Sequence, residues 1–448
     1  MRTSLHNQAS ISQQPYHGHT SGLAELIILR QKLDETYTAE QKYDFRILKT
    51  QLLWGILSKR KAGEEVDLSN TELAGLNFCG FNLEKANLEG ANLANTILTN
   101  ANLNEAKLKK AILKRSSLQG TNLQLADLEG VNLKSSILNN ANLQGANLKM
   151  ANLTGALLQD VDLQHANLEN ADLTQATLIN IDLKEANLQK AILEEINLTS
   201  ADLENANLEG ANLTMAILSC SNLKMVILTK ANLTKSQLQY INLEKAQLKK
   251  TNLKDSVLIE TTLNQAQFNE AVFENAELKN CQLEDTRLVK TRLINTKIIG
   301  STSKGTSLYQ ANLSKVKIID CTLEKNNFNK TKFLDCEINK SILKGALLNN
   351  AKLEKTHIIK SDLTKANLYK SKLDSVDITE TNCEHVFFGL STLVKVNITN
   401  CVLKQATFNN ATLDNVKFTN TDLDNIQIKK AKFCTVIIDN IHVSPADL

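Results

Sequence analysis

The sequence has almost no proline. Only Pro15 and Pro445 occur in 448 residues, and the 429 residues between them contain none, whereas ordinary usage of about 5% would give roughly 22. Proline has no backbone N–H and interrupts hydrogen-bonded ladders. It is also a usual marker of linkers, so its absence argues against the two to four domains (about one per 150 residues) that the length suggests.

Other signals are missing as well. No run of about 18 apolar residues occurs, and the first 20 residues contain no apolar signal segment, so neither a membrane span nor a Sec signal is predicted. We expect a protein that is cytoplasmic at synthesis, with export as an effector left open. Eight cysteines without a CxxC pair argue against a disulfide or zinc framework.

What the sequence does contain is a repeat of five residues. From Leu68 to Leu448 an apolar residue, called the centre below, holds 77 positions in one register, and only Ser303 and Cys383 depart from Leu, Ile, Phe or Val. A small or β-branched residue usually lies two positions before the centre, and Asn or Asp most often lies one position before it. The repeating unit is therefore A-(N/D)-L-x-x.

A period of five fits neither regular element. On an α-helix each step of five leaves an offset of about 140°, and on a flat strand it moves the centre to the opposite face. The centres point to one axis only if the chain turns a corner every five residues. Most of the 16 glycines lie two residues after a centre, where such a corner needs a turn residue. The pattern predicts a stacked solenoid.

These units resemble those of the pentapeptide-repeat proteins, and the resemblance covers residues 66–448. It implies an all-β solenoid, a right-handed quadrilateral β-helix of about 19 coils with 20 residues in each coil. At about 4.8 Å per coil the rod would be roughly 90 Å long. The family includes DNA mimics that bind DNA gyrase and secreted bacterial effectors, so the resemblance does not fix the function.

The segment before the repeats is expected to cap the solenoid. Residues 1–20 are polar and expected to be disordered, and residues 21–65 are expected to form a helical cap with one helix around Gly22 to Asp34 and another from about Thr38 to Lys61. Thr38 and Gln41 predict a capping box. The candidate cap residues are Phe45, Leu48, Leu52 and Ile56. The alternative is a membrane-surface helix, because Trp54 and several leucines precede Lys59, Arg60 and Lys61.

The repeat region is expected to have two parts. A regular array at residues 66–298 and a more degenerate array at residues 306–448 are separated by a loosened coil at 299–307, where Ser303 is a centre. The C-terminal end lacks a capping helix. We therefore expect a homodimer through this end or a protein partner bound there.

The residues that could carry catalysis are scattered. Four cysteines occupy the small inward position, where a thiol acts as an apolar filler, and the histidines of the repeats lie at separate outward positions. The sequence therefore predicts no catalytic residue, no metal site, no cofactor and no enzymatic activity. The cysteines are Cys281, Cys321, Cys336 and Cys401, and the histidines are His165, His357, His385 and His442.

Charge is banded along the chain. Residues 155–215 hold 11 acidic and two basic residues, whereas residues 287–372 hold 18 basic and six acidic residues. On a 20-residue period many of the basic residues fall into two neighbouring columns beside two tyrosines. We call this set the basic corner: Lys290, Arg292, Tyr309, Lys330, Lys332, Lys352, Tyr369, Lys370 and Lys372.

The basic corner has two interpretations. It binds a phosphate-bearing or acidic partner, such as nucleic acid, an anionic membrane surface or an acidic protein face, or its lysines only solvate a degenerate array. The favoured function is a rod-like scaffold for protein partners, such as a secreted bacterial effector. The alternatives are polyanion binding and DNA mimicry directed at gyrase or topoisomerase. Mimicry needs a long anionic surface, and the acidic band spans only about three coils.

Overall fold

The computed structural model describes residue 28, residues 38–59 and residues 65–440. In the described part of the chain, the helix α1 (Ala39–Ser58) precedes a parallel β-solenoid whose coils have four sides of five residues. Bridges join residues 20 apart, and one outward column of them runs through 19 residues from Asp67 to Gln427. The predicted quadrilateral β-helix is confirmed. The expected tail at 1–20 and, apart from Ile28, the helix expected around 22–34 lie outside the described residues.

Backbone hydrogen bonds join every coil to the next. The N–H of Leu93 donates to the carbonyl of Ile112 at 2.7 Å, and the N–H of Asn92 donates to the carbonyl of Thr71, in the coil before, at 2.9 Å. The same two bonds recur along the rod, so the residue before each centre and the centre itself both need an N–H. This requirement excludes proline from both positions of every repeat.

The core is a stack of centres. Every centre from Leu68 to Leu423 is at most 8% exposed, and most of the alanines two residues before a centre are also buried. Burial of this continuous apolar column is the main force holding the coils together. The small residue is needed because the interior has room for only one large side chain on each side of the coil.

Corners and outward amides follow the same repeat. Among the described residues, the residue two after each centre up to Ile428 has a left-handed backbone, with φ of 65° at Gly130 and 57° at Lys110, which explains the glycine preference there. The residue before the centre is Asn or Asp for two reasons. Its side-chain oxygen accepts a backbone N–H two residues on, as from Gln189 to Asn187 at 3.2 Å, and its amide donates to the previous coil, as from Asn187 to Asn167 at 3.1 Å.

From residue 257 onward many sides become short parallel strands. Each short strand is followed by a repeat whose small inward residue, two positions before its centre, is Thr, Ser, Val, Cys or Asn and never Ala. The short strands are β1 (Val257–Ile259), β2 (Glu277–Lys279), β3 (Arg292–Ile294), β4 (Lys297–Ile299), β5 (Thr302–Lys304), β6 (Asn312–Ser314), β7 (Lys317–Ile319), β8 (Thr322–Glu324), β9 (Lys332–Leu334), β10 (Glu337–Asn339), β11 (Lys352–Glu354), β12 (His357–Ile359), β13 (Lys372–Asp374), β14 (Asp377–Thr379), β15 (Thr392–Val394) and β16 (Asn397–Thr399). Two longer strands follow, β17 (Thr412–Thr419) and β18 (Lys432–Asp439).

The coil expected to be loosened at 299–307 keeps most of its backbone ladder, although the N–H of Gly305 does not make the bond to the next coil that Gly300 makes to Ile319. Strand β5 pairs in register with β8, and the N–H of Thr302 donates to the carbonyl of Cys281 at 2.9 Å. Ser303 is only 6% exposed, and its hydroxyl accepts a hydrogen bond from the buried amide of Asn326. The polar centre is thus satisfied by a partner in the next coil, and the rod is unbroken at this point.

Helix α1 lies against the first coil. Its N-terminus has the predicted capping box, with Gln41 N–H donating to Thr38 Oγ1 at 3.2 Å and Thr38 N–H donating to Gln41 Oε1 at 2.9 Å. Leu53 is fully buried, and Ile56 and Leu57 pack against the core.

The predicted cap stripe is correct only in part. Ile56 contacts the core and Phe45 and Leu52 are half-buried, but Leu48 is 43% exposed. The helix is rotated so that Lys49, not Leu48, faces the first coil.

Lys49 continues the ladder at the N-terminal end. In the other coils the carbonyl before a centre accepts an N–H from the preceding coil, as Asn92 accepts from Leu73 at 2.8 Å. Glu72 has no preceding coil, and its carbonyl accepts from Lys49 Nζ at 2.6 Å. Burial of the ammonium lowers the pKa of Lys49 to about 8, although the nearby Glu72 carboxylate opposes the shift.

This buried lysine predicts a pH-dependent cap. In the undocked helix Lys49 has its ordinary pKa of 10.5, so between about pH 8 and 10.5 the undocked state binds more protons and docking becomes more stable as pH rises. We expect the free energy of undocking to rise by up to about 1.4 kcal/mol per pH unit in this range. Urea titrations followed by the fluorescence of Trp54, the only tryptophan, measure it.

The matched control is Lys49→Arg. Arginine keeps the donor and the positive charge but does not titrate in this range, so the slope should disappear. An equal slope in both proteins would show that other groups cause it.

Candidate binding surfaces

The reactive side chains of the described residues lie apart. His165 and His357 each pair with a carboxylate on the next coil, at 3.3 and 3.0 Å. Cys281 and Cys321 are buried two coils apart, and burial raises the pKa of each thiol to about 11, so both stay protonated. No group of three or more His, Cys, Asp or Glu within the described residues could hold a metal ion.

Three of the buried thiols, those of Cys281, Cys321 and Cys401, belong to an inward column of polar side chains, and the sequence interpretation of them as apolar fillers misses this. Cys281 Sγ lies 3.4 Å from the carbonyl of Leu258, and its N–H donates to Ser301 Oγ at 3.1 Å. Nine successive coils carry a hydroxyl or thiol at this place. They are Thr261, Cys281, Ser301, Cys321, Ser341, Ser361, Thr381, Cys401 and Thr421.

The acidic band is partly neutralised within the rod. Asp162, Asp182 and Asp202 stack in one column. Lys184 lies 3.4 Å from the Asp182 carboxylate and 3.0 Å from the Asp202 carboxylate, and these aspartates raise its pKa. The continuous anionic surface that DNA mimicry requires is therefore interrupted at its centre.

The basic corner is assembled in the register expected from the 20-residue period. Lys352 on β11 pairs directly with Lys332 on β9 and with Lys372 on β13. Asn312 on β6 joins this column to Arg292 on β3. All five side chains are exposed. Lys290, Lys330 and Lys370 lie at the left-handed corner just before this column, and they too are exposed.

Both tyrosines of the basic corner contact a lysine. Lys330 Nζ lies over the ring of Tyr309, 5.4 Å from its centroid, and Lys370 Nζ lies over Tyr369 at 5.1 Å. Tyr369 also stacks on Phe387 with centroids 6.0 Å apart, a contact that the sequence reasoning does not include. The rings hold two ammonium groups close to the lysine column.

The last described coil is open. Its centres Ile428, Phe433 and Ile438 are 46%, 50% and 53% exposed, although the centres one coil earlier are buried. Within the described residues β18 pairs only with β17, so one edge of an eight-residue strand is free. The sequence predicted an uncapped end here without naming these residues.

Three large apolar side chains of α1 are exposed, Trp54 at 63%, Tyr43 at 64% and Ile47 at 41%. The membrane-surface interpretation of this helix stays a hypothesis. Over the described range, the chain contains no helix with the length and apolar character needed to cross a bilayer.

Solved structures of similar proteins share the repeat type. HetL from Nostoc sp. strain PCC 7120 is 28% identical over 52% of this chain and 96% of its own, with a TM-score of 0.20. A pentapeptide-repeat protein of the Arabidopsis thaliana thylakoid lumen is 31% identical over 22% and 69%, with a TM-score of 0.22. QnrB1, a plasmid-mediated fluoroquinolone resistance protein, is 14% identical over 43% and 95%, with a TM-score of 0.24. These TM-scores are too low to transfer any function.

A comparison with curated proteins gives no match. The sequence profile of the family described as pentapeptide repeats matches residues 64–134, 136–302, 346–382 and 391–433, which is more than half of the chain. The unmatched residues 303–345 begin at Ser303 and include the buried Asn326, both of which depart from the repeat unit. The matched register, the 20-residue coils and the buried centres agree with one another, and the chain belongs to the pentapeptide-repeat family.

Proposed function

We propose that this chain is a non-enzymatic, rod-like scaffold that joins a second copy of itself end to end through its C-terminal coil. The exposure of Ile428, Phe433 and Ile438 supports this most directly, because the equivalent centres Phe408, Leu413 and Phe418 are at most 5% exposed. Covering three large apolar side chains would contribute several kcal/mol, at about 25 cal/mol per Å².

A second copy fits this end because the surface is self-complementary. Two β18 strands related by a two-fold axis can pair along their free edges, and the same axis brings the exposed centres of both copies together. Such a dimer would place two basic corners at fixed distances from the junction, which suits a scaffold for protein partners.

The test is the mass of the protein in solution. Light scattering after size exclusion should give about twice 49.6 kDa for the full chain at tens of micromolar, and Phe433→Lys with Ile438→Lys should return it to the monomer mass. The control is Leu125→Lys with Met150→Lys, which adds the same charge at two apolar residues that are 58% and 61% exposed and far from the end.

Alkylation of cysteines gives a second measurement that does not depend on folding of the variant. Cys434 lies in β18, and Cys79 and Cys220 are exposed elsewhere. Of the three thiols, only that of Cys434 should become less reactive as the protein concentration rises, because the end-to-end contact covers β18. A wild-type chain that stays monomeric, or equal reactivity of the three thiols at all concentrations, would disprove the end-to-end contact.

A further inference from the structure

Stacked charges on this rod usually have opposite sign. Among the described residues seven Lys–Glu pairs join neighbouring coils, with the partners 20 residues apart in one column. Opposite charges directly across a β-ladder are favourable, and like charges are unfavourable. The pairs are Lys85–Glu105, Lys109–Glu129, Lys149–Glu169, Lys250–Glu270, Lys254–Glu274, Lys317–Glu337 and Lys360–Glu380, at 2.9 to 3.7 Å.

The basic corner breaks this rule. Lys332, Lys352 and Lys372 are direct neighbours in their ladder, and no carboxylate of the described residues comes within 4.0 Å of their ammonium groups or of the other four cations of the basic corner. The acidic side chains on the same strands are Glu354 and Asp374, and each lies two residues after its lysine, across the buried centre. The repulsion between the stacked lysines is therefore not relieved within the rod.

The uncompensated cations form a line rather than a patch. From Arg292 to Lys372 the column rises four coils, or about 19 Å, and Lys290, Lys330 and Lys370 run beside it at the corner. A bound linear anion would remove the repulsion between successive lysines, so its binding would be favoured by the existing strain in the ladder.

We propose that the basic corner binds the phosphate backbone of a single-stranded nucleic acid. Its regularly spaced phosphates match a line of cations parallel to the rod axis. Tyr309 and Tyr369 offer aromatic rings beside that line, and bases stack on such rings in proteins that bind single strands. A base that stacks there displaces the lysine lying over the ring, which frees its ammonium for a phosphate.

The other polyanions fit less well. A membrane surface is broad and flat, but Glu354 and Asp374 stand on the far edge of the same side and would face the anionic headgroups. An acidic protein face would use the lysines and leave the two tyrosine rings without a role. Both remain outcomes of the experiment.

The experiment measures binding of the full chain to a fluorescent 20-nucleotide single strand at 50 to 300 mM salt. Seven cations predict a slope of log K against log salt near −5, at about −0.7 per neutralised phosphate. Replacing Lys332, Lys352 and Lys372 by Gln should reduce the slope by about two and weaken binding about 100-fold at 0.1 M salt.

The stacking role of the rings is tested separately. Tyr309→Ser with Tyr369→Ser should weaken binding of the single strand but leave duplex binding unchanged.

The matched control replaces Lys109, Lys149 and Lys254 by Gln. This removes the same charge from lysines that already have partners, so binding should change little. Equal loss in both triple variants, no binding at 50 mM salt, or preference for anionic vesicles, polyglutamate or duplex over the single strand would each overturn the proposal. The end-to-end contact is measured separately by mass, so either proposal can fail alone.

Discussion

Replacing Ile112 by proline is expected to break the rod at one coil, at a cost of about 3 kcal/mol or more. Ile112 lies one residue before the centre Leu113, and its N–H donates to the carbonyl of Ala91 in the preceding coil at 2.9 Å. Proline removes this bond and leaves a carbonyl without its donor. Each coil contacts only its neighbours, so the damage should be local.

Proline at Lys114, two residues later, should have the opposite outcome. Ser116 N–H donates to the carbonyl of Leu113 at 3.1 Å, and Arg115 has φ of 57°, which together describe a type II turn with Lys114 at its first central position. Proline is favoured at that position, and nothing in the described chain accepts the N–H of Lys114. Lys114→Pro should be neutral or stabilise the rod by up to about 1 kcal/mol.

Hydrogen exchange compares the two proteins. In Ile112→Pro the amides of residues 92–132 should lose about 100-fold in protection, and proteases should cut there. In Lys114→Pro both readouts should match the wild type. Ile112→Ala, which keeps the N–H, separates the loss of the ladder bond from the loss of the side chain. Similar exchange in both proline variants would mean that the missing N–H is not why the repeats lack proline.

The sequence predicts the fold well because every side of the coil has the same surroundings. A Leu such as Leu188 and an Ala such as Ala186 point inward for reasons that depend only on the register. The columns of the basic corner are equally predictable, since the 20-residue period fixes that Lys352 lies between Lys332 and Lys372.

Features that depend on one distant partner are not predictable in this way. Leu48 is exposed because the docking of α1 on the first coil sets the helix rotation, and the capping box alone does not determine it. Whether a carboxylate comes within ion-pair distance of the basic corner depends on side-chain conformations in several columns, which the register does not determine. At Ser303 the register alone predicts a defect, and only the contact with Asn326, 23 residues later, shows that the defect is filled.

The pair Ser303 and Asn326 gives a prediction as large as that for proline. The Asn326 amide donates to Ser303 Oγ, and its Oδ1 accepts the N–H of Thr306 at 3.0 Å, all in the core. Asn326→Ala leaves two buried polar groups without a partner, which should destabilise this coil by about 2–5 kcal/mol. Ser303→Leu alone crowds the amide and removes its acceptor, at about 1–3 kcal/mol.

The double variant should recover most of the loss, because Leu at 303 with Ala at 326 restores the repeat unit. In the preceding coil the equivalent residues form a turn bond, in which the N–H of Thr286 donates to the carbonyl of Leu283 at 3.2 Å. In the double variant the N–H of Thr306 can make the same bond to the carbonyl of residue 303. In Asn326→Ala the amides of residues 299–330 should lose at least about 30-fold in protection from hydrogen exchange. In the double variant this protection should return toward the wild-type value. Additive losses would show that the two polar residues are independent defects, whereas recovery would show that each is tolerated only because the other is present.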